Sequence, residues 1–118
     1  MSGPANNGVI IYSSNLSNLA EFYQQLFSMQ IVRISEDFIS LEKEGFNLII
    51  HVPPFTMPDD RFSPVKVFLT VDDMAVARQT AVKLGGQAFA GEWSNPLFKV
   101  SNIADRDGNP MQLRQFNK

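Results

Sequence analysis

The feature that most constrains this chain is a repeat. A shift of 58 residues lays Val9, Ile11, Leu16, Leu19, Tyr23 and Leu26 over Val67, Leu69, Met74, Ala77, Ala81 and Leu84. Both sets fall on faces that strand and helix periodicity assign to the interior. An offset of about half the length is the mark of an internal duplication, in which one supersecondary unit is used twice. Each half must then carry the same order of elements.

The local signals bear that order out. Val9–Tyr12 reads as a strand, and Ser13, Ser14 and Asn15 supply turn and N-cap chemistry before an apolar stripe of helical spacing over Leu16–Phe27. Strands are expected at Ile31–Ser35, Phe38–Glu42 and Phe46–Val52, separated by Ser35-Glu36-Asp37 and Glu44-Gly45. Prolines at 53, 54 and 58 cannot continue a ladder, so residues about 53–64 read as a linker. Beyond it, Val65–Val71 is a strand, Asp72 or Asp73 caps a helix, and Gly85-Gly86 ends that helix. Strands at Gln87–Phe89, Phe98–Ala104 and Met111–Gln115 complete the second half, the last two joined across Asp107-Gly108, a hairpin signal.

Residues 1–118 are therefore expected to form a single α+β domain. It comprises two tandem βαβββ modules, about 8–53 and 65–116. The length suits one domain, and 44% hydrophobic with 19% charged residues is an ordinary globular balance. A net charge of −2 gives no basic surface for phosphates, so no nucleic-acid partner is expected. No apolar run approaches the roughly 20 residues that span a bilayer, so no membrane partner is expected either. The N-terminus lacks the basic and apolar regions of a signal peptide. With no cysteine in the chain, disulfides, thiol nucleophiles and Cys-bound zinc are excluded, and a cytoplasmic location is expected.

In order and spacing, these residues resemble the vicinal oxygen chelate superfamily, which includes glyoxalase I, the extradiol dioxygenases and the bleomycin-resistance proteins. The resemblance covers about residues 8–116. It is carried by Asn15-Leu16 through Phe22-Tyr23 and Leu26, by Val71-Asp72-Asp73, by Leu84-Gly85-Gly86, and by Ala104-Asp105-Arg106-Asp107-Gly108-Asn109. The last resembles the family's Asp-Pro-Asp-Gly-Asn turn with Arg106 in place of proline. Asn15 replaces the usual aspartate, and Phe27-Ser28 stands where Leu-Gly is typical. The resemblance implies a cupped mixed sheet with helices on its convex side and a cavity on the concave side. It also implies that metal-dependent members would place ligands at Gly8, Lys66 and Gln112, with a fourth at Ile49 or Ile50.

Glycine and isoleucine cannot bind a divalent ion, a lysine brings a positive charge to its place, and His51 is the only histidine. No metal and no cofactor are expected, nor the metal-polarised chemistry of glyoxalase I and the dioxygenases. Strand alternation instead gives the cavity a different lining. If Val67, Leu69 and Val71 face the helices, then Lys66, Phe68 and Thr70 face the cavity, as do Ile10, Tyr12, Gln112 and Arg114. Aligning Gly45 with Gly108 puts His51 on the same face as the counterpart of Arg114, although a register slip of one residue would turn it outward.

Tyr12, His51, Lys66, Phe68, Thr70, Gln112 and Arg114 are thus the candidate ligand-binding residues. Trp93 joins them as a lid or a dimer anchor in the polar loop Gly91–Pro96. The expected function is metal-free binding of a small organic ligand, anionic or carbonyl-bearing, for sequestration or sensing. One alternative is a metal-independent enzyme of lyase or isomerase type that uses Lys66, His51 or Tyr12 for proton transfer. Another is a dimeric interaction module whose cup is filled by its own side chains. The resemblance implies a homodimer in each case.

Overall fold

The computed structural model describes residues 4–53 and 64–117. Most of the proline-rich linker, 54–63, falls outside them. Among the described residues nine strands and two helices are formed, and the chain divides into two compact units, Met1–Val65 and Lys66–Lys118. No helix among the described residues is long and apolar enough to cross a membrane.

The first unit runs β1 (Gly8–Tyr12), α1 (Leu16–Phe27), β2 (Gln30–Ile34), β3 (Phe38–Lys43) and β4 (Phe46–His51). Its strands lie in the order β2-β3-β4-β1, with β1 parallel to β4 and the other pairs antiparallel. The tight turn between β3 and β4 has Glu44 and Gly45 both at positive φ, the geometry of a two-residue hairpin that follows strand twist. Asn15 caps α1, its side-chain oxygen accepting from the Asn18 N–H at 3.1 Å. Leu16, Leu19, Ala20 and Tyr23 of that helix pack with Val9, Ile11, Ile39, Leu41, Leu48 and Ile50 of the sheet.

The second unit follows the same plan with one short strand added: β5 (Val65–Thr70), α2 (Met74–Lys83), β6 (Gln87–Ala88), β7 (Trp93–Ser94), β8 (Phe98–Ala104) and β9 (Pro110–Phe116). Here β5 runs parallel to β9, β9 is antiparallel to β8, and β8 is antiparallel to β6. Asp73 is the residue that caps α2, accepting from the Val76 N–H at 3.1 Å. The helix closes with the Gly86 N–H on the Ala81 carbonyl and the Gly85 N–H on the Val82 carbonyl, the paired bonds of a Schellman ending.

Three expectations require correction. Trp93 does not lie in an unstructured loop: it forms β7, opposite Val100 of β8. Leu26 and Leu84 are exposed rather than buried, because each falls in or after the last turn of its helix, beyond the packed stripe. Val67 and Leu69 are also exposed, although the matching Val9 and Ile11 pack under α1. The second helix is narrower. Its Met74, Ala77 and Ala81 rest on Ile103, Met111 and Leu113 of β8 and β9, so β5 lies outside its shadow.

Candidate functional site

Each sheet has one face toward its helix and one away from it, and strand register decides which residues share the latter. In the first unit Ile10 is opposite Ile49 and Tyr12 is opposite His51, with Ser40 and Phe38 next to them on β3. In the second, Phe68 is opposite Gln112 and Thr70 opposite Arg114, with Asn102 and Val100 next on β8. Tyr12 and His51 thus share the face away from the helix in the first unit, as Phe68, Thr70, Gln112 and Arg114 do in the second, and Lys66 lies two residues before Phe68 on it. Ile49 shares the His51 face with Ile10, whereas Ile50 packs in the core under α1.

In the first unit this face carries a row of rings. Tyr12 meets His51 edge-on at 6.2 Å, and His51 stacks on Phe38 at 6.1 Å, with Arg33 at 6.0 Å over the Phe38 ring. His51 Nδ1 is 2.8 Å from the Val52 carbonyl oxygen. An oxygen there accepts only, so Nδ1 carries the proton in the neutral ring and Nε2 keeps its lone pair. Ile10 and Ile49 fill the middle of the sheet and are buried.

The second unit places a cation between aromatic rings. The Arg114 guanidinium carbon is 4.0 Å from the centroid of Phe68 and 4.7 Å from that of Phe98. Register puts Phe68 one row before Arg114 and Phe98 one row after it, so the rings lie on either side. Arg114 Nε donates to Gln112 Oε1 at 2.9 Å, which fixes the rotation of the guanidinium plane. Phe68, Arg114 and Lys66 are only 0%, 6% and 8% exposed. Desolvated cation–π contacts contribute on the order of 2 kcal/mol, so such a group is held rather than left to wander. Trp93, 55% exposed, borders this row beyond Val100, its ring against Gly91. Beneath it on the helix side, Arg78 bonds Ser101 Oγ and the Phe89 carbonyl, and Ser101 in turn donates to the Gly91 carbonyl at 2.8 Å. Glycine at 91 leaves room that a β-carbon would take from the indole.

Lys66 and Arg114 thus do not reach out from the surface, as a strand-end lysine and a C-terminal arginine easily would. Sequence reasoning missed Asn102, Phe98, Arg33 and Phe38. Asn102 and Phe98 were within reach, because counting back from the Asp105–Asn109 turn gives Asn102 as the partner of Gln112. Arg33 was not, because a register irregularity in β2 between Ile31 and Arg33 sets which face it takes. A recess of about 390 Å³ lies elsewhere in the second unit, among Ala81, Leu84, Ile103, Asp105, Arg106 and Met111, and none of the expected residues lines it.

The residues that the resemblance sets at ligand positions are Gly8, Lys66 and Gln112, with Ile49 or Ile50 as the fourth. None offers an imidazole or a carboxylate, and among the described residues no three His, Cys, Asp or Glu side chains come together. This donor set does not fit a divalent metal.

No protein-family model and no curated protein matches the chain at the level of sequence. Solved structures do match it along nearly its whole length. An NAD-dependent benzaldehyde dehydrogenase from Legionella pneumophila aligns with 94% of this chain and 99% of its own at 15% identity and a TM-score of 0.75. A glyoxalase/bleomycin resistance protein/dioxygenase superfamily member from Vibrio splendidus 12B01 aligns over 95% and 98% at 13% identity, TM-score 0.67. A methylmalonyl-CoA epimerase from Mycobacterium tuberculosis aligns over 96% and 87% at 15% identity, TM-score 0.59. The chain has the vicinal oxygen chelate fold. Proteins with that fold include enzymes, and identities this low speak to fold alone.

Proposed function

We propose that this chain binds a small organic ligand, anionic or carbonyl-bearing, without a metal, through the Lys66–Phe68–Gln112–Arg114 face of its second unit. The observation that carries the reading is the Arg114 guanidinium held between Phe68 and Phe98 and keyed by Gln112. The N–H bonds of that cation point outward in the guanidinium plane, so its edge is the part that recognises an oxygen. An edge of this kind receives a carboxylate or carbonyl oxygen with fixed direction. Lys66 on the same face adds positive charge, and Phe68 adds an apolar floor, the mixture usual in small-molecule sites. Sequestration or sensing needs nothing further.

A titration of the full chain with small carboxylates, phosphates and drug-like cations tests this, read by thermal shift and by fluorescence of Trp93, the only tryptophan. Ligand at 100 times its dissociation constant should add about 2.7 kcal/mol of stability. Arg114→Lys, which keeps the charge and loses the flat fork, should weaken a carboxylate by about tenfold or more. If no class of compound shifts the melting point, the face is filled by its own side chains and the reading fails. An enzymatic reading has one support, the His51 tautomer, which presents Nε2 as a proton acceptor beside Tyr12. It requires turnover that His51→Gln abolishes while leaving binding intact.

A further inference from the structure

Among the described residues, one buried side-chain polar atom has no hydrogen-bond partner: Asn102 Oδ1. A buried acceptor left unsatisfied costs about as much as a lost hydrogen bond, and native proteins tolerate it chiefly where water or a ligand completes the set. The atom cannot turn to the other side of the sheet. Asn102 is directly opposite Gln112 on β9, and its own carbonyl accepts from the Phe89 N–H at 3.0 Å and from Arg78 on the helix side. Its side chain therefore shares the face of Gln112, Phe68 and Arg114.

The neighbour restricts what the site can recognise. Gln112 Oε1 accepts from Arg114 Nε, which orients the amide and leaves its N–H₂ as the donor it can offer a ligand. Asn102 offers the reverse, an acceptor. Directly opposed residues of an antiparallel pair have their Cα atoms about 4.5–5.5 Å apart, a span that one planar group can bridge. The pair reads as acceptor beside donor, and its complement is N–H beside C=O.

We infer that Asn102 is a further ligand-binding residue, and that the ligand carries a cis N–H and carbonyl, as in a lactam, cyclic imide or ureide. This rests on the binding reading above and narrows its carbonyl-bearing ligand to one with a donor next to the carbonyl. The Asn102 oxygen accepts from the ligand N–H, the Gln112 amide donates to its carbonyl, and the Arg114 edge takes a second oxygen where one is present. No covalent step is involved.

Succinimide and N-methylsuccinimide are suitable probes because they differ at the N–H alone. With the ¹⁵N-labelled wild-type chain, succinimide should perturb the side-chain amide signals of Asn102 and Gln112, and N-methylsuccinimide should bind at least tenfold more weakly. Asn102→Leu, which removes the acceptor at similar volume, should abolish that preference and leave the melting temperature unchanged or higher. Asn102→Asp, which keeps an acceptor, should retain it. Equal binding of the two imides, or perturbation by neither while small carboxylates still bind at Arg114, overturns the inference and leaves the binding reading standing. A lower melting temperature for Asn102→Leu with the preference intact also overturns it, because the oxygen then serves the fold through an ordered water. Failure of imides and carboxylates alike defeats both readings.

Discussion

The two units share a backbone plan and differ in what they do with its open face. At matched positions the first unit presents Gly8, Ile10 and Tyr12 on its first strand, with Ile49 and His51 on its last. The second presents Lys66, Phe68 and Thr70, with Gln112 and Arg114. Ile10 packs against Ile49 where Phe68 packs under a guanidinium. The helix side is constrained by packing and keeps its apolar character in both copies, although the small residues of α2 cover less of the sheet than the larger ones of α1. In both units the helix side is tied to the core, whereas the far side is free to carry different chemistry. The second unit carries the more polar and charged set on that side.

The largest effect that should separate the two faces is at Phe68. Phe68→Ala removes a fully buried ring and strips one side of the Arg114 stack, for an expected loss of about 3–5 kcal/mol in urea denaturation. Ile10→Val, at the matched position, should cost only about 1 kcal/mol. Equal losses would break the claim that the second face is built around its arginine.

Next comes the strand–helix junction. A β-carbon on Gly86 would lie 2.4 Å from the Ala104 carbonyl oxygen, so Gly86→Ala should cost about 1–3 kcal/mol by forcing backbone apart. Thermal denaturation checks it, and a neutral result would mean that the helix end and β8 are not pressed together.

A smaller change of opposite sign belongs to the first unit. Its helix ends at Ser28 with φ +59°, where the second uses Gly85 at +96°. A left-handed serine is strained, and Ser28→Gly should add about 0.5–1 kcal/mol of stability, within reach of a chemical denaturation series. No gain would show that this terminus is held by tertiary contacts instead.

The smallest effect concerns the turns. Hydrogen bonds from the Asn109 side-chain amide first, then from the backbone N–H groups of Asn109, Asp107 and Gly108, hold the Asp105 carboxyl below the usual carboxylate range, against the opposing pull of desolvation. Its folded pKa is lower than its unfolded one, so its contribution is complete above the unfolded value of about 3.9. It is lost as acid carries the pH down through the folded value. Asp105→Asn should flatten that part of the acid unfolding profile, and an NMR titration of the Asp105 carboxyl should place it below a model peptide.

Much of the architecture was legible in the residues. Apolar spacing placed α1 over Leu16–Phe27 and β8 over Phe98–Ala104, and Asp-Gly placed the last hairpin. Trp93–Ser94 was not legible as a strand, because two residues carry no period and pair only where β8 is already present. For the candidate site, parity along each strand assigned the faces of Phe68, Gln112 and Arg114. It could not show that Arg114 lies between Phe68 and Phe98, since that depends on rows contributed by three strands.

By itself the sequence determined the internal repeat of pattern, the order of most elements and the scarcity of metal-binding side chains, with one histidine and no cysteine. These follow from local periodicity and residue type, which need no distant partner. Only the tertiary structure decided that Ile49 rather than Ile50 shares the His51 face, that Arg114 and Lys66 are buried, and that the Asn102 oxygen is left without a partner. Each depends on pairing and burial between strands far apart in the chain, and neither is encoded within a single segment.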